Sequence, residues 1–348
     1  MHTTYSHDSW GGPYDDNTSD PADWYTLGQS VKSEFALARS RGLDYLAITD
    51  HNDIRAQQDP DFGFAGLIGI PAYENSLKGH GQMLGARRIY DKGDLSQPAV
   101  QQMANELHGD GGLLQVNHPH DPRWGYDQSL VPDSIEVWNL PWFYQAPFPA
   151  SSDNEWALTW YEGWLDRGFH IAATGGSDSH WVSTSALQGA GQPTTWVLAG
   201  DRSASGVLAG IHSGRTFISY QPPNYGGPKV MLEADTRKPG AWDAMMGDTV
   251  ARSSKLRAHV IGAPGAHLKL TTDGGKTLAD VVITSPDFTY ELALPKGSRS
   301  TWALAEVYGD DLSPQRKAAC DDAAGDQTSY CRNRLMMLGL TSPIYFEG

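Results

Sequence analysis

Between Trp24 and Gly214 the chain alternates between segments of helical periodicity and short apolar segments that are typical of buried strands. The helical segments are "DWYTLGQSVKSEFALARSRG", "AVQQMANELHGDGG", "NEWALTWYEGWLDRG" and "SASGVLAGIHSG". The strand segments are "LDYLAIT", "LLQVN", "DSIEVWN" and "FHIAATG". Repeated helix–strand units of this kind are typical of a parallel α/β architecture, and we expect a barrel.

The pattern changes after the Pro- and Gly-rich stretch "SYQPPNYGGPK". Beyond it, segments that alternate between apolar and polar residues are separated by turn signals such as "DGG", as in "KLRAHVIG" and "FTYELALP". This alternation is typical of an all-β sandwich. We therefore predict two domains, residues 1–221 and residues 222–348.

Composition narrows the function classes. The 26 Lys and Arg residues against 41 Asp and Glu residues give a net charge of −15, which disfavours nucleic-acid binding because that usually requires a basic surface. The sequence contains no run of about 18 apolar residues, so we predict no membrane span. Cys320 and Cys331 enclose the polar segment "DDAAGDQTSY", and a loop-closing disulfide there would favour an extracytoplasmic (periplasmic or secreted) location. Two separate thiols and a cytoplasmic location stay open.

Polar side chains with metal-binding chemistry cluster around four of the predicted strand ends. They are Asp50 and His51 in "LAITDHND", Glu74 and His80 in "IGIPAYENSLKGHGQMLG", His118 and His120 in "LLQVNHPHDP", and Asp178 and His180 in "IAATGGSDSH". In a parallel barrel these ends meet on one face. Imidazole and carboxylate ligands suit zinc, manganese or iron. One such histidine is usually structural, but four strand ends together predict a metal site.

These motifs, taken in order with the opening "HTTYSHDS", resemble those of the PHP (polymerase and histidinol phosphatase) superfamily. The "GRTFIS" stretch and the tail ending "TSPIYFEG" are similar to its carbaryl-hydrolase-like (CehA/McbA) branch. The resemblance implies a distorted (β/α)7 barrel, here followed by the smaller sandwich-like domain. It also implies two or three divalent metal ions.

The resemblance assigns ligands position by position. It implies one metal held by His2, Glu74 and Asp178, a second by Glu74, His80 and His118, and a third by His7, His51 and His180, with Asp8 competing with His7. The family's first histidine would stand immediately before Met1. We therefore expect the first metal to have three protein ligands instead of four, and the family's first strand to be missing.

Divalent ions can supply an activated water, so the first hypothesis is a metal-dependent hydrolase that cleaves a phosphoester. The rival is a carboxylic or carbamate ester hydrolase acting on an apolar substrate, which the aromatic residues Trp124, Trp138 and Trp142 favour. His120 either protonates the leaving group or orients a ligand, and Arg123 either neutralises a phosphate or lies on the surface. A third hypothesis is a non-catalytic binding protein with a degraded site. A small-molecule ester is the expected partner, and an oligomer stays open.

Overall fold

The computed structural model describes residues 1–6, 29–90, 93–119, 124–140, 153–180, 189–236, 240–295, 298–310 and 336–347. Several residues singled out from the sequence lie outside these ranges, namely His7, Asp8, His120, Arg123, Trp142, Cys320 and Cys331. The disulfide, the location inferred from it and the roles of these side chains therefore stay predictions.

Four α-helices occur among the described residues, and each coincides with a helical segment predicted from the sequence. They are α1 (Val31–Ser40), α2 (Gln97–Gly109), α3 (Asp153–Asp166) and α4 (Ala204–His212). The hydroxyl of Ser30 accepts a hydrogen bond from the Ser33 N–H and so caps α1, and Ser203 caps α4 in the same way. No described helix is long and apolar enough to cross a membrane.

The first half of the chain forms two small sheets. Strands β1 (Tyr45–Ala47) and β2 (Ile68–Ile70) pair in parallel. The second sheet has the order β3–β4–β5–β6–β7, built from Glu74–Leu77, Gly79–Leu84, Leu113–Val116, Ser134–Asn139 and Ala172–Gly176. Its first three strands are antiparallel and its last three are parallel. Gly79, the first residue of β4, has a φ of 96°, a conformation that glycine adopts readily.

The remaining described strands form two further sheets. In chain order they are β8 (Thr194–Val197), β9 (Thr216–Ser219), β10 (Lys229–Asp235), β11 (Ala244–Met245), β12 (Thr249–Ala251), β13 (Lys255–Ile261), β14 (His267–Thr272), β15 (Lys276–Val282), β16 (Asp287–Ala293), β17 (Trp302–Gly309), β18 (Met336–Thr341) and β19 (Ile344–Glu347). One sheet has the order β11–β10–β13–β16. The other runs β12–β19–β17–β18–β9–β8, with β14 paired to β17 and β15 to β14. Both contribute to one apolar core that includes Leu232 and Leu340.

The predicted distorted (β/α)7 barrel is wrong. More of the described residues lie in strands than in helices, and the described strands form several sheets without a closed barrel. The edge of β7 gives the physical reason. The Ala173 and Gly175 backbone groups on that edge bond to the hydroxyls of Thr195, Thr216 and Ser342 instead of to a neighbouring strand. Since its edge is satisfied in this way, the sheet ends at β7.

Strands β8 and β9 pair with each other, and β9 pairs with β18. Sheet hydrogen bonds therefore join residues on both sides of the predicted domain boundary at 221/222. The boundary itself stays a prediction. The OH of Tyr345 also accepts a hydrogen bond from the Ile171 N–H, just before β7. The C-terminal strands consequently support the strand that leads to Asp178 and His180.

Candidate metal centre

The N-terminal segment brings His2 into the interior. Two backbone hydrogen bonds hold the peptide group between Met1 and His2. The Met1 carbonyl accepts from the Thr49 N–H (2.8 Å), and the His2 N–H donates to the Ser179 carbonyl (2.9 Å). The Asp50 carboxylate accepts from both the N–H and the hydroxyl of Thr3. His2 is 1% exposed as a result. Asp50 thus holds the segment that carries His2.

His51 and Glu74 lie side by side because residues 50–52 pair with the start of β3. The Glu74 N–H donates to the Asp50 carbonyl (3.1 Å), and the Asn52 N–H donates to the Glu74 carbonyl (2.8 Å). Glu74 opens β3 and His80 lies near the start of the antiparallel β4. The hairpin therefore brings these two side chains together, whereas the sequence analysis had placed both after the end of one strand.

His118 and Asp178 lie two residues after the ends of β5 and β7, and both have a left-handed backbone, with φ of 22° and 44°. Non-glycine residues adopt such values rarely, and they cluster at functional sites. The Asp178 carbonyl accepts a hydrogen bond from Nδ1 of His180 (2.9 Å). This bond fixes the tautomer of the neutral His180 ring, so that Nε2 carries the lone pair that can bind a metal.

Glu74 lies at the centre of the cluster. Its Oε2 is 3.3 Å from Nε2 of His2 and 3.4 Å from Nε2 of His51. Its Oε1 is 3.5 Å from Nδ1 of His80 and 3.7 Å from Nε2 of His118. One carboxylate thus lies between two pairs of imidazoles, as a bridging ligand would.

The other predicted ligands extend the cluster on either side. Nε2 of His2 is 3.0 Å from Oδ1 of Asp178, and the His2 ring stacks on that of His180 with centroids 4.2 Å apart. Nδ1 of His80 and Nε2 of His118 face each other at 3.3 Å. Every described residue of the predicted ligand set therefore lies in one cluster. Whether it binds metal stays a prediction.

The donor set fits divalent metal ions. Nitrogen ligands lie about 2.0–2.1 Å from zinc, which puts two ligand atoms of a tetrahedral site roughly 3.3 Å apart. The separations of 3.0–3.7 Å within the cluster are of this size. Three groups offer donor atoms within 4.8 Å of one another: His2, His51 and His180; His51, Glu74 and His80; and His2, Glu74 and Asp178. Among the described residues, the group of His2, Glu74 and Asp178 is one of the sets expected from the motifs, and each of the other two groups shares two residues with an expected set.

Electrostatics favour positive charge inside the cluster. Burial alone would raise the pKa of Glu74, but the adjacent His80 and His51 hold this pKa well below its usual range. The pKa of Asp178 is also lowered, because the hydrogen bond from His2 and the charge of His180 outweigh burial. Burial opposes the protonation of His118, yet Glu74 and Asp178 raise its pKa to about 10. Both carboxylates are therefore ionised and stabilise cations.

Sequence reasoning missed a second layer of polar side chains. Asn117 donates to Oε1 of Glu74 (2.6 Å), and Gln115 in turn donates to Asn117 (3.0 Å). Glu136 accepts from the His118 N–H, and Asn139 donates to Glu136. Burial raises the pKa of Glu136 to about 7. The available signal was Glu136, a charged residue between the apolar Ile135 and Val137 in the strand "DSIEVWN".

A cavity of about 530 Å³ reaches the cluster at Asp178. Apolar side chains line much of it, among them Leu46, Ile70 and Val207. Neither Trp124 nor Trp138 lines this cavity: Trp138 is buried in the core, and Trp124 packs against Trp160. An apolar chamber is therefore present, but other residues form it.

Two comparisons with known proteins found no match. No protein-family model and no curated protein matches the chain. Among solved structures it is similar to the crystal structure of PsfC from Pseudomonas syringae PB-5123, with 17% identity and a TM-score of 0.39 over 52% of this chain and 80% of that chain. This similarity is too distant to bear on the fold or the chemistry.

Proposed function

We propose that the protein is a metal-dependent hydrolase that cleaves an ester, with a phosphoester as the first candidate. The observation that carries the proposal is the Glu74 carboxylate among four buried imidazoles, with Asp178 and His180 beside them. The resemblance of the motifs to the PHP superfamily supports the same chemistry independently of the fold.

The residues divide the work as follows. His2, His51, His80, His118 and His180 supply neutral nitrogen ligands, while Glu74 and Asp178 supply negative charge that offsets that of the bound ions. When bound, two or three ions of zinc, manganese or iron would lower the pKa of water to about 7 and polarise an ester oxygen. The Asp178 side chain is 22% exposed whereas those of His2 and Glu74 are nearly inaccessible, so substrate approaches on the Asp178 side.

The cavity at Asp178 favours a second candidate, the hydrolysis of an uncharged carboxylic or carbamate ester. A chamber of about 530 Å³ with largely apolar walls suits the apolar part of such a substrate. A charged phosphoester gains nothing from burial in it.

The test is metal content followed by hydrolysis. We expect tag-free protein to retain two or three equivalents of a divalent metal by plasma mass spectrometry. The loaded protein should hydrolyse p-nitrophenyl phosphate or bis(p-nitrophenyl) phosphate if the first candidate is right. Preference for p-nitrophenyl acetate or 1-naphthyl N-methylcarbamate would support the second. Less than one equivalent after loading would refute both and favour a non-catalytic binding protein.

A further inference from the structure

Two of the expected ligands, His118 and Asp178, share one support in the layer of side chains behind the cluster. Oε2 of Glu136 accepts a hydrogen bond from the backbone N–H of His118 (3.2 Å) and another from Nδ2 of Asn139 (2.9 Å). The same Nδ2 lies 3.4 Å from Oδ2 of Asp178. These contacts connect the two ligands whose backbone is left-handed.

The pair is itself held rigidly. The Asn154 side chain, at the start of α3, accepts from the Asn139 N–H (2.8 Å) and donates to the Asn139 carbonyl (3.1 Å). Glu136 is 1% exposed, and its Oε1 packs against Gly176 so closely that a Cβ there would clash with it. Gly176, the second glycine in "TGGSD", therefore leaves room for the Glu136 carboxylate.

We propose that Glu136 and Asn139 are positioning residues that hold His118 and Asp178 in their ligand geometry; this inference rests on the proposed metal site. A residue in the left-handed region tends to relax unless its surroundings fix it. Side chains that orient metal ligands typically contribute 10- to 100-fold to metal affinity. The Glu136–Asn139 pair fixes the left-handed backbone and orients the ligand side chain at both His118 and Asp178.

The first measurement is zinc affinity by competition with a chromophoric chelator, on the full chain. Glu136→Ala should weaken binding at least tenfold, whereas Glu136→Gln, which keeps an acceptor oxygen, should stay within about threefold of the wild type. Glu306→Ala is the matched control, because Glu306 is also 1% exposed but lies on β17 beside Thr271 and Lys269. Wild-type affinity in Glu136→Ala, or an equal loss in Glu306→Ala, would overturn the inference.

The second measurement needs no metal. Hydrogen exchange of the His118 amide, followed by NMR in histidine-labelled apoprotein, should be slow in the wild type and at least tenfold faster in Glu136→Ala. An unprotected amide in the wild type would refute the inference, even if the protein bound no zinc and the proposed function failed with it. If Glu136→Ala does not fold, Gly176→Ala tests the same hydrogen bond from the His118 N–H, because its methyl group displaces the Glu136 carboxylate. An unchanged exchange rate there would count against the pair.

Discussion

At the scale of single residues, Glu74 has the most demanding position. Both of its oxygens lie within 3.3–3.7 Å of ring nitrogens, two on each side. Its pKa is held well below the usual range by those histidines although it is buried. Its negative charge is therefore the feature that a neutral isostere would remove.

Glu74→Gln should lower the metal content by at least one equivalent and reduce hydrolysis on the order of a hundredfold or more, because an amide neither bridges two cations nor offsets their charge. Plasma mass spectrometry and initial rates measure both effects. The control is Glu106→Gln, an exposed glutamate on α2, which should change neither. Full metal content in Glu74→Gln would remove Glu74 from the ligand set.

At the scale of elements, helix α1 carries a carboxylate in an unfavourable place. Glu34 is fully buried, and neither of its oxygens has a hydrogen-bond partner among the described residues. Burial raises its pKa to about 8, although the Met1 ammonium and Arg41 partly oppose this. The folded protein thus prefers a neutral side chain at this position of α1.

Glu34→Gln should therefore alter the pH dependence of stability. A raised carboxyl pKa destabilises the fold increasingly as pH rises from about 4.5 towards 8, since the unfolded chain ionises first. At about 1.4 kcal/mol per pKa unit, the variant should exceed the wild type by a few kcal/mol at pH 8.5. Near pH 4.5 the two should agree. Urea unfolding at both pH values is the measurement, and a constant difference would contradict the argument.

At the scale of the whole molecule, the C-terminal strands belong to the structure that carries the site. Strand β9 pairs with β18, and the hydroxyl of Ser342 bonds the edge of β7. Arg215 forms two hydrogen bonds with Asp248, at 2.6 and 3.0 Å. These contacts join the two predicted domains.

A chain ending at residue 228 should consequently fail to fold, because β9 loses its partner β18 and the Ala173 N–H on the edge of β7 loses its acceptor, the Ser342 hydroxyl. Circular dichroism should show no cooperative thermal transition. The full-length chain, prepared in parallel, is the control. A cooperative transition with bound metal in the shortened chain would instead support an independent domain at residues 1–221.

Much of this protein followed from local sequence. Helices α1 to α4 and strands β5 to β7 lie where periodicity predicted them, because apolar spacing reflects the face that an element buries. Polar residues near predicted strand ends, together with the motif resemblance that added His2, also identified the seven described side chains that form one cluster. The local sequence pattern did not indicate which groups would hydrogen-bond to the edge of each strand. The hydroxyls of Thr195 and Ser342 replace a strand beside β7, and the antiparallel β3–β4 hairpin brings His80 to Glu74. The edge of β7 depends on contacts between residues far apart in the chain, and so does the role of Glu136, so tertiary structure alone decided where this sheet ends and how the second layer of the site forms.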